Sequence, residues 1–342
     1  MNARKIIRLA KKTFLSMVDK QKSLSNASLP VSDESCFAGL LELIDKNGSI
    51  PYSILFILRL IEEALEIASA NDGKNYSIKD ARILELGSSP APTLAIACLL
   101  LGAKRFTANN VVTVARSLHS SQCSLAFILL GGRQETSFST LDQICAGIDN
   151  DGNRTLDPRL FRVFAPVAGE DLPDDAGKAD LVLSFSVLEH VKNPRELIKR
   201  AFQLTAPGGL HIHSIDLRDH SDFSHPLDFL KLSEAEYWTR PYSGENRLRS
   251  CDFLDIFMDI GFRILYCRWM DSPPNLNALG DTSLLNWWSL DINSIWSAGS
   301  MEEIRPWVDS GMRDNFVYPW NKMPINELSA IGLFIIAKRP LD

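Results

Sequence analysis

The sequence predicts an α/β fold, an open and mostly parallel sheet with helices on both faces. Three observations carry that prediction. From Ile83 onward, short apolar runs alternate with helix-period segments, the pattern of strands joined by crossover helices. The stretch Ala81-Arg-Ile-Leu-Glu-Leu-Gly-Ser-Ser-Pro-Ala-Pro-Thr-Leu-Ala-Ile-Ala97 reads as a buried strand, a tight turn at Gly87 and a very apolar helix. In such folds that turn sits where the sheet binds its ligand. The run Ile331-Gly-Leu-Phe-Ile-Ile-Ala-Lys338 is apolar almost throughout, as a strand buried on both faces must be.

The elements follow in order. Residues 1–78 group as a helical N-terminal extension and residues 79–342 as the main domain. In residues 1–24, Arg4, Lys5, Arg8, Lys11, Lys12, Lys20 and Lys22 face one acid, Asp19, and Ile7, Ala10, Phe14 and Met17 share a helical face. Two readings stand: a helix packed on the domain with a solvated basic face, or peripheral contact with an anionic membrane. Residues 23–36 read as a loop, and Pro51 to Ala70 as a long helix stopped by Asn71-Asp72-Gly73. Strands are expected at 82–86, 104–109, 161–167, 180–185, 210–215, 262–268 and 331–338. Helices are expected at 93–101, 112–130, 194–204 and from Ser250 to Gly261. Asn193 is placed to cap the 194–204 helix, and Pro194 suits its first position. The seven tryptophans (Trp238, Trp269, Trp287, Trp288, Trp296, Trp307, Trp320) all fall in the final third, most of them in two long connections, about 217–249 and 269–328. These read as cap insertions over the open end of the sheet, or as a small extra core.

The totals bound the function. With 45% hydrophobic and 23% charged residues, a chain of 342 residues can bury a sizeable core without disulfides or metals. A net charge of -6 argues against nucleic-acid binding. The six cysteines (Cys36, Cys98, Cys123, Cys145, Cys251, Cys267) form no C-x-x-C pair, so reduced thiols in a cytoplasmic protein are expected and no metal ligand set is assigned. No apolar run is long enough to span a membrane, and no signal-peptide apolar region opens the sequence.

Several motifs together resemble a class I S-adenosylmethionine-dependent methyltransferase with a Rossmann-like fold, over about residues 80–342. They are Ile83-Leu-Glu-Leu-Gly87, Leu172-Pro173 followed by Ala179-Asp-Leu-Val-Leu-Ser-Phe-Ser-Val-Leu-Glu-His-Val191, Leu204-Thr-Ala-Pro-Gly-Gly-Leu210, Asp259-Ile-Gly-Phe262 and the last strand. The resemblance implies a seven-stranded sheet with a reversed final strand. It implies S-adenosyl-L-methionine as cofactor, held by Glu85, Gly87, Ser88, Ser89, Asn110, Glu170, Asp171, Ser184, Ser186 and Glu189. The stretches Ile215-Asp-Leu-Arg-Asp-His220, Pro226-Leu-Asp-Phe-Leu230 and Asn246-Arg-Leu-Arg249 are similar to a bacterial subgroup linked to glycan and natural-product pathways.

The chain departs from the family pattern at three places. The first motif has one glycine, Gly87, followed by Ser88 and Ser89. The residue matching the ribose-binding acid is Asn110, and Ala168 stands where an adenine-contacting acid is usual. Each lost acid weakens cofactor binding by roughly 1.5–3 kcal/mol.

For methyl transfer to oxygen, a base near the carboxyl ends of strands four and five is needed. His220 is the first candidate, followed by Asp216, Asp219 and His190. His220 reads equally as a loop histidine bonded to a carboxylate, and Glu189-His190 equally as a cap of the strand-four loop. His211 and His213 read as core histidines. Arg247, Arg249 and Trp238 are candidates for substrate binding, with structural ion pairs as the alternative for the arginines. Two functions are carried forward. One is O-methylation of a sugar, glycan precursor or small metabolite, and the other is a catalytically inactive methyltransferase-like binding or scaffold protein. A nicotinamide oxidoreductase is disfavoured because G-x-G-x-x-G is absent.

Overall fold

A computed structural model describes residues 52–90, 92–118, 141–149, 154–240, 245–271 and 298–341. The basic segment 1–24, most of the expected 112–130 helix, and Cys36, Cys123, Ala91, Trp287, Trp288 and Trp296 lie outside them.

The seven expected strands form one sheet. They are β1 (Arg82–Leu86), β2 (Arg105–Asn109), β6 (Phe161–Phe164), β7 (Ala179–Phe185), β8 (Thr205–Asp216), β9 (Arg263–Met270) and β11 (Gly332–Lys338). Their order is β9-β11-β8-β7-β1-β2-β6, with a two-residue strand, β10 (Ala298–Gly299), added at the β9 edge. β6, β2, β1, β7 and β8 pair in parallel. β11 runs antiparallel to both β8 and β9, which is the reversed strand.

Alternation along each strand sends side chains to two cores. Ile83, Leu181, Leu183, Leu210 and Ile212 pack beneath helices α1 (Tyr52–Asp72) and α2 (Thr93–Leu100). Leu84, Val182, Ile215, Leu333 and Ile335 pack beneath α3 (Pro194–Leu204) and α4 (Ser250–Ile260). Leu58, Ile61, Ala64 and Ala68 of α1 therefore share one core with β1 and α2, so this part of the N-terminal segment is built into the sheet domain. The end of α1 is pinned by Asp72, which accepts from Lys338 Nζ at 2.5 Å and from Tyr76 at 2.6 Å.

Three local expectations change. Residues 111–118 are not helical, and β3 (Ser117–Leu118) instead joins β4 (Cys145–Ile148) and β5 (Arg154–Leu156) in a small antiparallel sheet of order β3-β5-β4. Val111, Val112, Thr113 and Val114 supply the reason, because consecutive β-branched side chains crowd the preceding helical turn. Asn193 makes no side-chain cap, although Pro194 does open α3. Ser250 does not cap α4. The Arg249 N–H bonds the Asp252 carboxylate at 2.8 Å, while the Ser250 hydroxyl donates to Glu327 at 2.6 Å. The helix ends as expected at Gly261, in a left-handed conformation with φ 106. The two long connections pack on each other. Leu227, Phe229, Leu230 and Tyr237 from the first meet Val308, Phe316, Trp320 and Leu328 from the second in a third core.

Candidate active site

Two turns meet at the carboxyl edge of the sheet. β1 ends at Gly87, whose φ of 68 lies in the left-handed region. A Cβ there would stand 2.4 Å from Val187 Cγ2, so only glycine lets this turn press against the segment after β7. That segment continues into the turn Leu188–His190, which carries Glu189 and His190. The neighbouring β8 ends at Asp216, and the loop beyond it brings His220 back, its ring 4.8 Å from that of His190. Motifs far apart in sequence thus converge in one place.

The turn is clamped from behind by Asn246. Its amide donates to Leu188 O (2.7 Å) and Val191 O (2.9 Å), and its backbone N–H donates to Glu189 O (2.6 Å). Glu189, only 2% exposed, accepts the Asp216 N–H on Oε1 at 3.1 Å, while its Oε2 has no hydrogen-bond partner among the described residues. Burial pushes this carboxyl up to about 8. Asp216 is held the other way. Burial opposes its charge, but Arg218 donates to both its oxygens (2.9 and 2.6 Å), and with His220 beside it the group sits at about 2. His220 Nε2 lies 3.4 Å from Asp216 Oδ2 and its Nδ1 3.4 Å from Glu245 Oε1. Contact with Asp216 raises the His220 pKa against the effect of burial. The ring of Phe223, exposed at the mouth, lies 5.3 Å from that of His220 and under the Arg218 guanidinium.

Several of the residues expected to hold the cofactor are exposed. Gly87, Ser89 and Ser186 are exposed at the ends of β1 and β7, and Glu170 and Asp171 are exposed on the turn after β6. Ser186 adopts φ 53, uncommon for a non-glycine residue, and turns the chain out of β7. The glycine at 87 keeps a side chain out of this turn, where Val187 packs closely. Glu85 lies on the α2 side of β1. Burial pushes its carboxyl up to about 7, and its charge is felt by the buried Cys98. Ser88 is buried, its N–H bonded to Asn109 O at 2.8 Å. Asn110 turns inward. Its amide donates to Ser88 O and its oxygen accepts from Val112 N–H at 3.0 Å, so it ties the first turn to the chain after β2.

Four expected site residues, Ser184, Asp219, Arg247 and Arg249, have structural roles instead. Ser184 is fully buried and donates to His213 Nδ1 at 2.6 Å. Asp219 accepts from Ser221 N–H (3.0 Å), the Ser221 hydroxyl (2.6 Å) and Arg240 (2.9 Å), which turns it away from the cluster. Arg247 donates to Leu232 O at 2.6 Å, pairs with Glu234, and lies between the rings of Tyr237 and Trp320. Arg249, 0% exposed, donates to Leu217 O (2.6 Å), Leu328 O (3.3 Å) and Ala330 O. Trp238 is exposed but bonded to Glu234 of its own helix. Sequence reasoning did not single out Glu245, Asn246 or Phe223. The Asn246-Arg-Leu-Arg249 motif held the signal for Asn246, whereas Glu245 and Phe223 had none.

A search of curated proteins finds no match. Among solved structures, the chain is similar to an S-adenosylmethionine-dependent methyltransferase from Mesorhizobium loti (14% identity, 79% of this chain and 96% of that one, TM-score 0.38). It is also similar to phosphoethanolamine N-methyltransferase 2 of Haemonchus contortus, solved with phosphomonomethylethanolamine and S-adenosylhomocysteine (14% identity, 87% of this chain and 60% of that one, TM-score 0.38). No described helix is long and apolar enough to cross a membrane. A family profile described as a methyltransferase domain matches residues 55–266, well over half of the chain, and with the sheet order and the glycine turn this shows that the chain belongs to the class I S-adenosylmethionine-dependent methyltransferases.

Proposed function

We propose that the chain methylates a hydroxyl oxygen of a sugar, a glycan precursor or another small metabolite. The observation that carries this reading is the convergence of Glu189, His190, Asp216 and His220 beside the Gly87 turn. S-adenosylmethionine supplies a methyl group on a positively charged sulfur. Gly87, Ser89 and Ser186 line one end of its site, and Glu170 and Asp171 the other. The rest of the work falls to the acceptor cluster, which must align the hydroxyl with the methyl group and take up its proton. His220, oriented by Glu245 at Nδ1, turns Nε2 from Asp216 to the hydroxyl. Asp216, ionised at neutral pH, stabilises positive charge that develops on the imidazole. Phe223 gives the acceptor an apolar surface at the mouth.

The test is mass-spectrometric detection of S-adenosylhomocysteine and methylated product with a panel of hydroxylated sugars and metabolites. His220→Ala is expected to lower kcat by about 10²–10⁴-fold while S-adenosylhomocysteine still binds. Cofactor binding without product from any acceptor, or a fully active His220→Ala, would sink the reading. One observation supports the inactive-scaffold alternative. With both ends of the Asn110 amide engaged and alanine at 168, neither position presents an acid to the cofactor. In that case no heat and no thermal shift would appear with S-adenosylmethionine.

A further inference from the structure

We propose that Glu189, His190 and His220 hold a divalent first-row transition-metal ion at the acceptor end of the site. The inference rests on reading this cluster as the place where the acceptor binds. One ligand atom from each of the three side chains lies within 4.8 Å of the other two. Bonds of about 2.0–2.2 Å place ligand atoms about 3 Å apart, so the group closes by small side-chain rotations. His190 stands exposed at the end of its turn. Two imidazoles and one carboxylate favour manganese, iron, cobalt or zinc over magnesium or calcium, and leave positions open for a substrate oxygen.

Independent features point the same way. Among the described residues, Glu189 Oε2 and His220 Nε2 are buried atoms of this group with no hydrogen-bond partner, and the nearest carboxylate to Nε2 is Asp216, at 3.4 Å. Buried polar atoms are rarely left so, and an ion would satisfy both at once. Behind His220, Glu245 presents Oε1 3.4 Å from Nδ1, also without a hydrogen bond. That carboxylate favours the tautomer with its proton on Nδ1, the usual outer partner of a metal-bound histidine, and Nε2, 3.4 Å from Asp216 Oδ2, would turn from that carboxylate to the ion. Glu189 is held in place through its backbone by Asn246. The charges facing the group are Asp216, Glu245 and Arg218, and Arg218 is paired with Asp216, so the balance suits a dication. With an ion bound, His220 holds the acceptor through it, and the coordinated hydroxyl gives up its proton to solvent more readily.

Isothermal titration of chelator-stripped, full-length protein with zinc chloride and with manganese chloride tests this directly. One ion per chain is expected for at least one of the two metals. His190→Ala, His220→Ala and Glu189→Gln should each weaken it by more than about 100-fold, beyond the loss of an outer partner. Glu245→Gln should weaken it by about 10–100-fold, and His225→Ala, on its own exposed loop with Asp222, should leave it unchanged. Should the ligand variants fail to fold, the cobalt-substituted wild type decides, because its visible spectrum distinguishes a site with imidazole ligands from cobalt bound only by water. No binding of any of these ions to the stripped protein, or equal affinity in folded His190→Ala and His220→Ala, overturns the proposal. Binding is read without turnover, so an absent methylated product does not touch it. Conversely, full product formation by a protein that binds none of these ions sinks the metal and leaves the methyl-transfer reading standing.

Discussion

At His211 and His213 the hydrogen bonds admit one arrangement of protons. The Thr205 hydroxyl donates to Ala201 O (2.6 Å), so it accepts from His211 Nε2 (2.7 Å). His211 Nδ1, then bare, accepts from His213 Nε2 (3.1 Å), and His213 Nδ1 accepts from the Ser184 hydroxyl (2.6 Å). Both rings are neutral, and burial depresses both, His213 to about 3. The pattern of β8 was enough to place these histidines in the core, because alternate residues share a face. It was not enough to take Ser184 out of the cofactor site, since a serine at the end of a strand can face a neighbour or a ligand. Arg247 and Arg249 misled for the same reason, because a guanidinium suits a carbonyl cage as well as an anionic substrate. Glu189, His190 and His220 were each site candidates, but their grouping as ligands was not legible because no local spacing joins residue 190 to residue 220. Glu85 gives a prediction at this scale. Burial raises its folded-state pKa from 4.5 to about 7. The folded chain then holds the proton more tightly than the unfolded one, so the contribution is full below pH 4.5 and is lost as pH rises through about 7. The whole effect is of order 3 kcal/mol. Glu85→Gln should therefore raise the melting temperature of ligand-free protein at pH 8 and not at pH 4.5. An equal shift at both pH values would show that the carboxyl is not held protonated.

The elements that position the site were legible where periodicity is strong. β1, β7, α3 and β11 lie within two residues of their expected bounds, since each buries a continuous apolar face. The β3-β5-β4 sheet was missed because two- to four-residue strands carry too few alternations to be seen. Between β1 and β2 the structure revises the meaning of a substitution. Read from sequence, asparagine at 110 is a weakened ribose ligand, and restoring an acid there should tighten the cofactor. In the fold, Asn110 Nδ2 donates to Ser88 O, in the residue directly after Gly87. Asn110→Asp replaces that donor with a carboxylate oxygen facing a carbonyl oxygen, and leaves the Val112 N–H its acceptor. The repulsion outweighs any ribose contact, because the turn itself must open to relieve it. Titration with S-adenosylhomocysteine should show about tenfold weaker binding in Asn110→Asp, equivalent to about 1.4 kcal/mol. Tighter binding would mean that the amide releases Ser88 when the cofactor enters.

Across the whole molecule, the third core is coupled to the site by a few buried polar side chains. Tyr237, inside that core, donates its hydroxyl to Glu245 O, and the Glu245 carboxylate faces His220. Trp320 donates to Arg247 O at 3.2 Å. Arg249 stands at the seam. Its guanidinium joins Leu217 O, just past β8, to Leu328 O and Ala330 O, just before β11. Such a residue favours one docking of the connections on the sheet, since each carbonyl would otherwise be buried without a donor. Its charge is uncomfortable there, and burial lowers its pKa to about 10, so its value lies in joining the parts and not in favourable burial. Arg249→Met keeps the volume and removes the donors. Leaving two or three carbonyls unpaired should cost about 3 kcal/mol or more in urea unfolding. The loss should not be uniform. Hydrogen exchange should quicken in residues 227–237 and 308–328, whose mutual packing depends on the seam. β1 and β7 should keep their protection, because their core does not include it. Methyl transfer should fall with the loosened connections, since Glu245 and His220 are held from that side, while S-adenosylhomocysteine, seated on β1 and β7, should bind as before. Uniform loss of protection across the sheet would show instead that the third core and the sheet unfold as one unit.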